Sequence, residues 1–161
     1  DKATSGVMIF DKNKQIQKEL GQEFESRRAK KVYFAISDKR PTKKQGTIKG
    51  DISKSRNGSY KLLRSFNNPS ITLFQSFYHE ELKLRGFKLY PQTGKTHQLR
   101  VVMNSLGCPI LGDSRYGGTV STRMYLHAYE LSIIINGEEL RFTDYPEVDL
   151  YLSLQSQFIS N

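Results

Sequence analysis

The chain has 161 residues, of which 37% are apolar and 11% aromatic, and its 25 Lys and Arg against 16 Asp and Glu give a formal net charge of +9. That length and apolar content suit one folded domain with its own core and exclude a disordered tail. A lone cysteine, Cys108, excludes an internal disulfide and a CxxC metal pair, and no apolar run approaches the about 18 residues of a membrane span. The basic excess suits a polyanionic partner, because each cation placed near a phosphate releases a counterion. A solvated basic surface with no partner accounts for the charge alone equally well.

Val7 to Phe10 is a short apolar run that predicts a buried strand. Asp11 and Asn13 offer caps for a helix from about Lys14 to Arg28, in which Ile16, Leu20 and Phe24 form one apolar stripe. Lys31 to Ser37 predicts a strand with Val32, Phe34 and Ile36 on one face and Tyr33 and Ala35 on the other. A basic loop with Pro41 follows, then a strand from Gly46 to Ile52 and a hairpin turn at Asn57-Gly58. Ile71 to His79 and Leu82 to Tyr90 read as antiparallel neighbours joined near Glu80 and Glu81.

A turn over Pro91 to Lys95 leads into a helix from about Thr96 to Leu106, with Leu99, Val102, Met103 and Leu106 as its buried face and Gly107 as its terminator. Gly112 to Thr119 is a glycine-rich loop, and Tyr125 to Ile135 with Glu139 to Phe142 forms a closing hairpin that turns at Asn136-Gly137. Strands outnumber helices. The expected class is α+β, a mixed and mostly antiparallel β-sheet with flanking helices, in one domain over 1–161.

Most familiar catalytic patterns are missing. Three histidines, His79, His97 and His127, show no metal-ligand spacing, and no GxGxxG, Walker A or GxSxG motif occurs. Gly107, Gly112, Gly117 and Gly118 are too scattered for a phosphate cradle. Cys108 lies before Pro109 in an apolar stretch and reads as a buried thiol. Three segments remain as candidates for chemistry: the acidic start, Thr93-Gly94-Lys95-Thr96-His97-Gln98-Leu99-Arg100, and Gly112-Asp113-Ser114-Arg115-Tyr116-Gly117.

Asp1-Lys2-Ala3-Thr4-Ser5-Gly6-Val7 resembles the aspartate motif of the RluA family of RNA pseudouridine synthases, and Thr93 to Arg100 resembles that family's second signature. Pro109 to Asp113 with Tyr116-Gly117, Leu126-His127-Ala128, and Lys31-Val32-Tyr33-Phe34-Ala35 match three further motifs, all with family-like gaps. DxxTSG or TGKT alone occurs by chance. Together the five segments span most of the chain.

The resemblance implies the pseudouridine synthase catalytic fold and an isomerase that turns uridines in ribosomal or transfer RNA into pseudouridine. It implies Asp1 as the catalytic carboxylate, Arg100 as the cation that keeps it ionised, and Tyr33 as the ring that packs on the flipped base. Whether the carboxylate attacks ribose or base stays open. Leu99 is expected under the base or simply in the helix core; His97, Gln98 and Lys95 either meet RNA or shape the aspartate loop. Thr4 and Ser5 are expected to hold that loop by side-chain to backbone hydrogen bonds, His127 to be a satisfied core histidine, and Asp113 and Tyr116 to shape a loop beside the site.

RNA is the expected partner, met by Arg27, Arg28, Lys30 and Lys31 and by Lys39, Arg40, Lys43 and Lys44. No cofactor, metal or membrane is expected, and the protein is expected to be monomeric and cytoplasmic. The family's arginine just before the aspartate has no counterpart in a chain that starts at Asp1, so an N-terminal segment is expected to be missing. Two other readings are a non-catalytic RNA-binding module of the same fold and a basic structural protein without a cleft. The presence of Asp1, Tyr33 and Arg100 together favours the enzyme.

Overall fold

The computed structural model describes residues 1–160. Its main sheet is mixed and mostly antiparallel. In chain order the strands are β1 (Ser5–Gly6), β2 (Lys30–Ser37), β3 (Gln45–Gly50), β4 (Ile52–Lys54), β5 (Tyr60–Leu62), β6 (Ser70–His79), β7 (Leu84–Pro91), β8 (Leu126–Ile135) and β9 (Glu138–Thr143). The helices are α1 (Lys14–Glu25), α2 (Gln98–Ser105) and α3 (Asp149–Ser160). Seven strands form the main sheet in the order β1-β8-β2-β7-β6-β3, with β9 also paired to β8, while β4 and β5 make a separate hairpin.

Period-two alternation sets the sheet's faces. Tyr33 lies opposite Leu89, and Phe34 opposite Lys88, so successive residues of β2 serve opposite layers. On the Phe34 side α3 supplies Tyr151, Leu154 and Phe158, all buried. The Phe158 ring stacks on Phe34 at 4.0 Å between centroids, and Tyr151 meets Phe34 edge-on at 4.9 Å. α3 is absent from the expectations above, although Tyr151, Leu154 and Phe158 already stand at i, i+3 and i+7.

From α2, Leu99 and Met103 join the same core as Ala35, Phe87 and Leu89. Val101 is buried beside the predicted face, and the helix ends as expected. Gly107 takes φ 71°, its amide bonds Asn104 O, and the Cys108 amide bonds Met103 O.

The expected strand over Val7 to Phe10 is not formed. The Val7 amide still bonds Ala128 O, but from Glu130 onward β9 occupies that edge of β8. Met8 and Phe10 are left 71% and 78% exposed, while Val7 and Ile9 pack with α1 on a second core of Leu20, Leu131, Ile133 and Ile135. α1 is capped by Asn13 and stops at Glu25, short of Arg28. The buried Glu23 carboxylate accepts from the Ile134 amide and pairs with Arg28 at 2.6 Å, fastening the helix to β8. Arg28 is thereby engaged within the fold.

Candidate active site

Three segments converge at one end of the sheet: the Asp1–Gly6 loop, the start of β2, and the turn that leads into α2. The first is pinned to β8. Ser5 and Gly6 run parallel to His127 and Ala128, and a tight turn closes with the Thr4 amide on Asp1 O at 3.1 Å. Gly6 has φ 107°, and a Cβ there would lie 2.2 Å from Ala128 O, so only glycine lets the loop lie this close.

Ser5 anchors through side chains and not through the backbone bonds expected of it. Its Oγ accepts from Arg123 Nη2 and donates to His127 Nδ1 at 2.9 Å, while His127 Nε2–H donates to Asp144 O at 2.9 Å. Both ring nitrogens are satisfied in the neutral form, and His127 is 3% exposed, a core histidine as expected.

Burial pushes the pKa of His127 below the ordinary 6.5, and it does the same at His97. An unfolded chain takes up protons at these residues near pH 6.5, where the folded chain resists them. Their contribution to stability is therefore complete above that pH and is lost as pH falls toward the folded values. Urea midpoints should decline between pH 7 and 5.5, with a shallower decline in His127→Gln. A midpoint that rises on acidification over this range would contradict the assignment.

The second signature folds into a turn built around Gln98. Its Oε1 accepts from Thr93 Oγ1 at 2.8 Å and from the Lys95 amide at 2.9 Å, and its Nε2 donates to Ile71 O and Thr72 Oγ1. Gln98 is 4% exposed, and these four bonds use its whole amide. It therefore shapes the turn that leads into α2, where an RNA contact or a hold on the aspartate loop was expected, and these bonds leave its amide no group free for a substrate. Lys95 Nζ bonds Asn68 Oδ1 at 2.9 Å. His97 takes the left-handed conformation, φ 55°, which starts α2 at Gln98 and not at Thr96.

His97 and Arg100 both reach the Asp1 carboxylate, whose side chain is 21% exposed. His97 Nε2 lies 3.2 Å and Arg100 Nη1 3.6 Å from Asp1 Oδ1. The Arg100 fork itself belongs to Asp113: Nε and Nη2 donate to its two oxygens at 2.8 and 2.7 Å. Asp113 is 1% exposed at its side chain, so the expected Asp1–Arg100 pair is one arm of a larger cluster. Tyr116 completes it, its ring 4.9 Å from the Arg100 guanidinium and its hydroxyl 2.8 Å from His97 Nδ1. That hydroxyl also accepts from the Tyr60 amide at 3.0 Å. Burial, then the charges of Arg100 and Arg115, hold the pKa of His97 below its ordinary 6.5.

Beside the carboxylate lies a cleft of about 350 Å³, lined by Asp1, Lys31, Tyr33, His97, Leu99 and Leu126 among others. That volume is within the roughly 300–1,000 Å³ of small-molecule sites. Burial raises the pKa of the Tyr33 phenol, keeping it protonated, and lowers that of the Lys31 ammonium. All seven residues singled out from sequence, Asp1, Tyr33, Lys95, His97, Gln98, Leu99 and Arg100, thus line the cleft or adjoin it. Lys31 was foreseen only as part of a basic cluster, Asp113 and Tyr116 only as loop residues, and Tyr60 not at all. Adjacency to Tyr33 was the signal for Lys31; nothing in the sequence marks Tyr60.

Residues 1–105 match the family described as RNA pseudouridylate synthase. The chain is 49% identical over 133 residues to an uncharacterized RNA pseudouridine synthase of Haemophilus influenzae, covering 81% of this chain and 59% of that protein. It is 36% identical over 150 residues to the ribosomal large subunit pseudouridine synthase C of Rickettsia prowazekii, covering 88% and 50%. It is likewise 36% identical over 142 residues to the dual-specificity RNA pseudouridine synthase RluA of Vibrio parahaemolyticus, covering 82% and 57%. The chain thus spans 50–59% of the length of these three relatives. Among solved structures, human RNA pseudouridylate synthase domain containing 1 superposes with a TM-score of 0.72 at 25% identity, over 92% of this chain and 73% of that one.

Proposed function

Because the chain belongs to the RNA pseudouridylate synthase family, we propose that it isomerises uridines in structured RNA, ribosomal or transfer, to pseudouridine, with Asp1 as the nucleophile. One observation carries this reading: a partly exposed carboxylate, held by His97 and Arg100, lines a cleft that also contains Tyr33 and Leu99. The reaction breaks the bond between N1 and C1′ of the uridine, turns the uracil and forms a bond from C5 to C1′; C5 gives up one proton, N1 takes one up, and any bond made to the Asp1 carboxylate on the way is broken before the product leaves. Substrate and product have the same atoms and oxidation level, so the balance needs no cofactor.

In this reading the uridine leaves its stack to enter the cleft, and the lost stacking is repaid by Tyr33 and Leu99. Arg100 and the His97 N–H keep the carboxylate oriented and ionised. Lys31 and Lys95 serve the phosphates beside the flipped nucleotide, where charge positions RNA without reading its sequence. Among the described residues no helix is long and apolar enough to cross a membrane. The same reading has the protein act as a monomer in the cytoplasm, where Cys108, fully buried with its thiol pKa pushed up to about 11, stays unreactive.

The test is a comparison of pseudouridine sites by carbodiimide labelling of ribosomal and transfer RNA from cells with and without the gene. At least one site should vanish with the gene and return with the wild-type copy. Identical maps would overturn the proposal.

Tyr33 offers a finer measurement. Base stacking on an aromatic ring is worth roughly 1–3 kcal/mol. Tyr33→Phe keeps the ring, so RNA binding should hold while turnover slows; Tyr33→Ala should weaken both. Wild-type kinetics in both variants would leave Tyr33 as an ordinary strand residue.

A further inference from the structure

We propose that the Tyr116 hydroxyl, fixed by the backbone amide of Tyr60, selects the His97 tautomer that orients the Asp1 carboxylate. The inference rests on the proposed function for its kinetic consequence, but not for its chemical core. The Tyr60 N–H points at Tyr116 Oη from 3.0 Å, and a backbone amide can only donate. The phenol's own proton is therefore free for its other partner, His97 Nδ1 at 2.8 Å. A neutral imidazole carries one proton. With Nδ1 accepting, that proton sits on Nε2, which faces Asp1 Oδ1 at 3.2 Å. In the opposite tautomer a lone pair on Nε2 would face the carboxylate oxygen and repel it.

The arrangement is held from several sides. The Tyr60 ring meets the His97 ring edge-on at 5.3 Å between centroids, and the Tyr116 ring does so at 5.8 Å. Arg115 Nη1 donates to Asn57 O at 3.1 Å, fastening the β4–β5 hairpin to the loop that bears Tyr116. The hairpin pairs with no strand of the main sheet, so these contacts help set its position relative to the site. Tyr60 and Tyr116 touch no reacting atom in this scheme. They are positioning residues that act through His97.

The direct test uses the full chain labelled with ¹⁵N in its histidine rings. Wild-type His97 should give a pyrrole-type shift at Nε2 and a pyridine-type shift at Nδ1, and in Tyr116→Phe the two shifts should move toward each other as the tautomers mix. In the full-length enzyme, Tyr116→Phe should lower kcat by about tenfold, with KM for RNA little changed, the scale of one lost hydrogen bond.

His97→Gln supplies the discriminating background. Its side-chain NH₂ can donate toward Asp1 and has no tautomer to select, so adding Tyr116→Phe should cost no further turnover. A pyridine-type Nε2 in the wild type, or an equal kcat penalty from Tyr116→Phe in both backgrounds, would overturn the proposal. The ring shifts are read without turnover. A full-length protein inactive on RNA would defeat the proposed function, whereas the shifts alone decide the tautomer.

Discussion

Asp1→Asn in the full-length protein is expected to abolish isomerisation while RNA binding persists. The change keeps the size of the side chain and leaves an oxygen that can still accept from His97 Nε2–H, which stands 3.2 Å from Asp1 Oδ1. The loop itself is held elsewhere, by the backbone ladder to β8 and by the Ser5 contacts with Arg123 and His127. Stability should therefore change by no more than about 1 kcal/mol, the net worth of an ordinary hydrogen bond. An amide is a far weaker nucleophile than a carboxylate, so release of tritium from C5-labelled uridine should fall by at least about 10⁴-fold. A filter-binding curve superimposable on wild type would show that the loss is chemical. Tritium release at the normal rate would remove Asp1 from the mechanism.

Arg100→Ala is expected to be the most damaging substitution for the fold among the site residues. Asp113 is 1% exposed at its side chain and receives both prongs of the Arg100 fork. Removing the guanidinium strands a buried carboxylate, a loss of about 3–5 kcal/mol when one partner of such a pair is deleted. That is a large part of the roughly 5–15 kcal/mol total of an ordinary domain. Arg100→Lys should rescue only in part, since an ammonium cannot present two parallel donors.

The double variant Arg100→Ala/Asp113→Ala separates the two functions of Arg100. It removes both charges, so its urea midpoint should recover toward wild type. Its turnover should stay low, because Asp1 still lacks the cation that stood 3.6 Å away. Full activity in the stable double variant would reduce Arg100 to a structural residue.

Local sequence determined much of this protein. Alternation in β2 placed Tyr33 and Phe34 on opposite faces, Asn57-Gly58 and Asn136-Gly137 marked two turns, and Gly107 marked the end of α2. These signals survive because strand pleat, turn dihedrals and helix caps depend on a few neighbouring residues. The family resemblance carried Asp1, Tyr33 and Arg100 into one expected site, and the fold brings Arg100 to Asp1 and sets Tyr33 in the same cleft.

Long-range packing settles how groups distant in sequence share partners. Val7 to Phe10 has the composition of a strand, but β9 holds the edge of β8 it would need. Gln98 reads equally as an RNA contact or as a shaper of the aspartate loop until Thr93, Lys95, Ile71 and Thr72 are seen to use up its amide. Arg100 has five N–H donors and two acids within reach, and packing gave the fork to the buried Asp113 and one remaining nitrogen to Asp1. Tyr60 enters the site only because its hairpin folds back against Tyr116. A side chain's chemistry is written in its residue type, but a hydrogen bond or an ion pair exists only at about 3–4 Å, and the chain path sets that distance.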